Sequence, residues 1–69
     1  MKKISGDLYR TIYGMAIVCD KKDPTLSAGD RVKFEGSAYT VVQVIPPPRP
    51  DSRMALEVRQ MRKWFRPAG

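Results

Sequence analysis

Four prolines fall within the five residues "PPPRP", Pro46 to Pro50, in the middle of a stretch otherwise rich in β-forming side chains. Each proline lacks a backbone N–H, so this segment cannot enter the interior of a sheet. Residues 46–53, "PPPRPDSR", suit polyproline II geometry and form a stiff, proline-rich projecting loop at which one strand must end. Before it, "YTVVQVI", Tyr39 to Ile45, is dense in β-branched and aromatic residues. After it, "MALEVRQ" alternates, with Met54, Leu56 and Val58 on one face and Ala55, Glu57 and Arg59 on the other. The second run is expected to pair back on the first across the proline loop.

The strongest pattern is "AGDRVKFEGSAYTVVQV", Ala28 to Val44. "DRVKF" alternates polar and apolar residues, "EGSA" carries a glycine suited to positive φ, and "YTVVQV" resumes the strand, so a hairpin with a short loop is expected. Val32 and Phe34 share a face of the first strand, and Tyr39 and Val41 share a face of the second. Val42 and Val44 then fall on the opposite face. That requires either a bulge near Val41 and Val42 or a strand covered on both sides.

Upstream, "GMAIVCD" reads as a short strand buried on both faces, and "KKDPTLSAGD" as a surface loop with turn chemistry at Asp23-Pro24 and Ala28-Gly29. In residues 1–13, Ile4, Leu8, Ile12 and Tyr13 are spaced for a short helix, with Ser5 as a cap, or for an extended arm ordered by neighbours. The fold expected over residues 1–69 is one small, mainly β domain. Its core at residues 14–60 is an antiparallel sheet or half-open β-barrel of about four strands, with N- and C-terminal arms. The basic aromatic tail, residues 61–69, is the second arm.

A 69-residue chain lies near the lower limit for a self-sufficient core, and the usual staples are missing: it has one cysteine, Cys19, and no histidine. Neither an internal disulfide nor a zinc site can be assembled, so packing or a partner must stabilise it. Cys19 is read as a small buried apolar residue. The formal charge of +6 favours an anionic partner. No apolar run approaches the ~20 residues of a membrane-spanning helix, and the chain is expected to be soluble, away from membranes and assembled inside a cell.

This inventory offers no histidine base, no glycine-rich phosphate loop and no paired carboxylates on one strand face, so an enzyme is not expected and neither a cofactor nor a metal is called for. Asp20 and Asp23 are separated by Lys21 and Lys22 and read as solvated loop charges. The constellation suited to a partner is basic and aromatic: Arg49 and Arg53 on the proline loop, then Arg59, Arg62, Lys63, Trp64, Phe65 and Arg66. Clustered cations attract phosphate, and Trp64 or Phe65 can stack on a base or fill a partner's pocket. The plainer alternative is that these two aromatics close the end of the core. Pro47 and Pro50 have PxxP spacing, but a rigid structural loop is preferred to a peptide ligand.

The pattern formed by Gly29, Asp30, Val32, Gly36, Tyr39, Val41, Val44, Leu56 and Val58 resembles the small β-barrels of tailed-bacteriophage head closure proteins, also called stoppers or head-tail joining proteins. The resemblance covers about half the chain, which is shorter than is usual there. It implies a structural virion component in the neck, assembled in the host bacterial cytoplasm. Copies would form a homo-oligomeric ring below the portal, around the DNA channel, touching portal or adaptor and tail proteins. A loop of that family reaches into the channel, which would put Arg49 and Arg53 nearest DNA. Two other functions fit the residues: a small basic nucleic-acid-binding barrel acting as a phage or plasmid regulator, and a phage-encoded protein-interaction module.

Overall fold

The structure, a computed structural model, describes residues 1–60. These form six strands and no helix: β1 (Lys2–Ile4), β2 (Gly6–Thr11), β3 (Gly14–Cys19), β4 (Arg31–Phe34), β5 (Ser37–Ile45) and β6 (Ala55–Gln60). They make one sheet in the order β1-β4-β5-β6-β3-β2, curled into a half-barrel. The protein is therefore mainly β, as its patterning indicates. The strand count is six rather than about four, and the sheet is mixed, because β1 runs parallel to β4 while every other pair is antiparallel.

The two extra strands come from residues 1–13, which form no helix; they are extended, as the arm alternative has it, and are ordered by strands of the same sheet. Spacing of four residues places Ile4 and Leu8 on one face of a helix, but it is equally a multiple of the strand period of two. Pairing decides between them: Lys2 to Ile4 align with Val32 to Phe34, and Gly6 to Thr11 align with Cys19 back to Gly14. Only Ser5 separates β1 from β2, yet these are the two edge strands of the sheet. One continuous N-terminal segment thus joins both edges and draws the sheet into a half-barrel, and the Ser5 carbonyl accepts the Asp20 N–H at 2.9 Å.

The β4–β5 hairpin has the expected form. Phe34 pairs with Ser37 across the two-residue loop Glu35-Gly36, and both loop residues have positive φ, 48° and 82°. That is the geometry favoured where the turn must match strand twist, and glycine holds its second position. Between β5 and β6 the register passes from Val41↔Val58 to Gln43↔Glu57, leaving Val42 as the extra residue of a β-bulge. The bulge resolves the valine pattern: it turns Val42 and Gln43 outward and brings Val44 back to pack on the core.

The concave face holds the core: Ile17, Cys19, Leu26, Val32, Phe34, Tyr39, Val41, Met54, Leu56 and Val58 are buried, with Ile4, Leu8, Met15 and Val44 packed around them. Ile17, Val32 and Leu56 have no exposed surface. Truncating such a side chain to alanine costs about 2–5 kcal/mol. Phe34 and Tyr39 meet edge to face, ring centroids 6.2 Å apart. The expectation that β3 is buried on both faces is only half right: Ile17 and Cys19 are buried, whereas Ala16 and Val18 on the outer face are partly exposed.

Candidate functional site

The proline loop is tied to the body rather than standing free. Lys22 Nζ donates to the Pro50 carbonyl, and Ser52 N–H donates to Arg49 O at 3.0 Å. Pro46 and Pro47 line an apolar groove of about 330 Å³ with Pro24, Leu26, Val44 and Met54. The apex, Pro48 to Asp51, is exposed and carries Arg49.

Arg53, at the end of that loop, is exposed but engaged by neighbouring elements. Its Nε donates to Cys19 O at 3.1 Å, and its Nη2 lies 2.9 Å from Asp7 Oδ2, 3.0 Å from Val18 O and 3.1 Å from Asp20 Oδ1. Two hydrogens on Nη2 are shared among three acceptors, so the guanidinium is a clamp joining β2, the end of β3 and the start of β6. The hydrogen bond it donates to Asp7 leads the causes that raise its already high pKa. Asp20 is accordingly an ion-pair partner of Arg53, and Asp23 is one of Lys2 at 2.8 Å, rather than the two being solvated loop charges.

A different set of cations has no such partners. On the outer face of the sheet, Arg31 of β4 stands opposite Thr40 of β5, which stands opposite Arg59 of β6. In the adjacent row Lys3 of β1 stands opposite Lys33 of β4, which stands opposite Ala38 of β5. All four basic residues are exposed, and none is in an ion pair among the described residues. Glu57, two residues before Arg59 on the same face, accepts a hydrogen bond from Gln43 at 2.8 Å instead. Of the expected contact residues, Arg59 thus lies in this basic surface, Arg49 is exposed at a separate loop apex, and Arg53 braces neighbouring elements at the surface. Arg62, Lys63, Trp64, Phe65 and Arg66 lie outside the described residues.

Lys3, Arg31 and Lys33 are site residues that sequence reasoning missed. The alternation of "DRVKF" already puts Arg31 and Lys33 on one strand face, but the register that adds Lys3 and Arg59 arises from pairings distant in the chain.

A third exposed feature is the tip of the β2–β3 hairpin. Thr11 pairs with Gly14, leaving Ile12 and Tyr13 as the loop residues, 92% and 88% exposed. Thr11 Oγ1 accepts the Tyr13 N–H at 3.1 Å and so fixes the turn.

The concavities hold little reactive chemistry. A cavity of about 400 Å³ beside the β1–β2 junction is lined by Ile4, Ser5 and Cys19 with Lys3, by residues 21–23 and by Leu26. Burial pushes the Cys19 thiol up from its ordinary value, more than the Arg53 charge pulls it down, so the sulfur is held as an unreactive thiol. Among the described residues no group of three or more His, Cys, Asp or Glu side chains gathers as metal ligands would, and no helix is long and apolar enough to cross a membrane.

Fold and surface together define a small mainly β module with a packed interior and its polar chemistry on the outside. Comparison with protein-family models, with curated proteins and with solved structures gave no match.

Proposed function

We propose that this chain is a non-enzymatic structural component of a tailed-bacteriophage virion, a head-tail connector or head closure protein. It acts as a ring of copies below the portal, around the DNA channel, and assembles in the host bacterial cytoplasm. The observation that carries the reading is the hairpin tip. An isoleucine and a tyrosine occupy its two-residue loop and are almost wholly exposed to solvent. Large apolar side chains exposed together on a braced tip serve contact with another protein surface. The head-closure part of the reading rests on the sequence pattern. Its residues have consistent places: Gly29 and Gly36 at turns, and Val32, Tyr39, Val41, Leu56 and Val58 in the core.

Light scattering on the full chain, alone and mixed with a purified portal complex, tests this. The expected result is a ring-sized oligomer or co-elution with the portal. Both disappear in an Ile12→Ser, Tyr13→Ser variant whose melting temperature is unchanged. A parent chain that stays monomeric at all concentrations and never co-elutes overturns the reading.

A further inference from the structure

We infer that the outer basic rows, Lys3 with Lys33 and Arg31 with Arg59, form a docking surface for the phosphate backbone of a double-stranded nucleic acid. The surface belongs to a single copy of the chain, so the inference does not rest on ring assembly.

Lys3 and Lys33 are direct cross-strand partners on one face, an arrangement that opposes folding because like charges stand side by side. In the next row Arg31 and Arg59 flank Thr40, again with no carboxylate paired to either among the described residues. Two other cations are paired, Lys2 with Asp23 and Arg53 with Asp7 and Asp20, while Arg10, Lys21, Lys22 and Arg49, also without ion pairs among the described residues, lie on β2 and on two loops and not in facing rows of the sheet. Like charges gathered in adjacent rows repel one another, and an anionic ligand would relieve that repulsion.

The dimensions select a polymer over a small anion. The four residues span β1, β4, β5 and β6, three interstrand spacings or roughly 14 Å, too wide for one phosphate to bridge. The floor between them is Ala38 and Thr40, both small, so a rigid rod can approach the sheet closely. A duplex fits better than a single strand, because Phe34 and Tyr39 of these strands are buried in the core and offer bases no stacking platform. A lipid surface fits less well, since the two rows contain no large apolar side chain to insert beneath headgroups. The backbone contacts are charge contacts and carry no base readout.

Fluorescence anisotropy with a labelled DNA duplex, titrated over a series of salt concentrations, tests the assignment. The full chain is expected to bind non-specifically, with Kd of about 10⁻⁴–10⁻⁶ M at physiological salt and a steep salt dependence. In an Arg31→Gln, Lys33→Gln, Arg59→Gln variant the slope of log K against log salt becomes shallower by about 0.9 for each contact removed. Melting temperature is retained. The charge-matched control Arg10→Gln, Lys21→Gln, Lys22→Gln keeps the parent slope. Equal losses in both triple variants mean that net charge alone drives binding and overturn the inference. So does tighter binding to anionic phospholipid vesicles than to duplex, or to single strands than to duplex. Repeating the titration on the Ile12→Ser, Tyr13→Ser chain separates this result from assembly: retained binding by a monomer supports the basic surface even where the ring reading fails.

Discussion

Arg53 and Arg59 flank the same short segment, and Lys2 and Lys3 are neighbours, yet each pair divides between two regions with opposite electrostatics. At the β2–β3 base and the adjoining loops, Arg53 and Lys2 are held by Asp7, Asp20 and Asp23. On the outer face, Lys3 and Arg59 join Lys33 and Arg31 with no acidic partner among the described residues. Alternation along β1 separates Lys2 from Lys3, since successive side chains point to opposite faces. Paired cations brace the half-barrel, and the four facing one another across β1, β4, β5 and β6 form the surface proposed to take a ligand. Net charge alone does not distinguish the two uses.

The braced region depends first on how closely β2 approaches β3, and the largest effect is expected there. Gly6 pairs with Cys19, and a Cβ at Gly6 would stand 2.0 Å from the Val18 carbonyl oxygen, with the Val18 carbonyl carbon at 2.9 Å. Its φ of 157° adds a backbone preference for glycine. Val18 O is also one of the Arg53 acceptors, so relief of the clash pulls the clamp apart as well. Gly6→Ala is expected to cost about 3 kcal/mol. Against the roughly 3–10 kcal/mol available to a domain of this size, that removes much of the folded population. Urea unfolding followed by circular dichroism measures it, and a midpoint equal to the parent's would break the account of this junction.

A smaller effect separates the two classes of arginine directly. Arg53→Gln removes the ion pairs to Asp7 and Asp20 and the donors to two β3-end carbonyls, and a drop of several degrees in melting temperature is expected. Partial exposure of the group and screening by salt keep the loss below that of a buried pair. Arg31→Gln, which removes no ion pair, is expected to leave melting unchanged or raise it slightly by relieving the like charges around it. Thermal melts of the two variants at low and moderate salt decide the matter; equal shifts would show that the division between bracing and free cations is wrong.

Legibility in the sequence followed the range of the interactions. The β4–β5 hairpin, the bulge among Val41, Val42 and Gln43, the inward triad Met54, Leu56 and Val58, and the burial of Cys19 all follow from patterns a few residues long. The N-terminal strands did not, because the period of Ile4 and Leu8 satisfies helix and strand alike, and the choice is made by pairing with Phe34 and Ile17. Arg53 was assigned to a partner for the same reason. Its acceptors at Asp7, Val18, Cys19 and Asp20 are remote in sequence, and no local spacing announces them. The basic surface was half legible: Arg59 was singled out as a cation, while its companions required the sheet order.

The finest test concerns Lys2 and Asp23, the pair that fastens β1 to the loop before β4. The Asp23 carboxylate receives Lys2 Nζ at 2.8 Å, Thr25 N–H at 3.0 Å and the Thr25 hydroxyl at 2.5 Å. The Lys2 hydrogen bond, followed by those from Thr25, lowers its pKa from 3.8 to about 2. The folded state therefore binds this proton less tightly than the unfolded chain. Its contribution to stability is full above the unfolded pKa near 3.8 and is lost as pH falls through the folded value near 2. Asp23→Asn is expected to be modestly less stable than the parent at neutral pH, with the two urea midpoints converging across that acidic window. The corresponding Lys3→Gln change, on the unpaired side of the same strand, should leave the acid dependence of the parent intact. Parallel curves for Asp23→Asn and the parent down to about pH 2 would mean that the Lys2 contact does not hold β1 in solution. The parallel β1–β4 pairing would then rest on Ile4 packing against the core and on the backbone ladder alone.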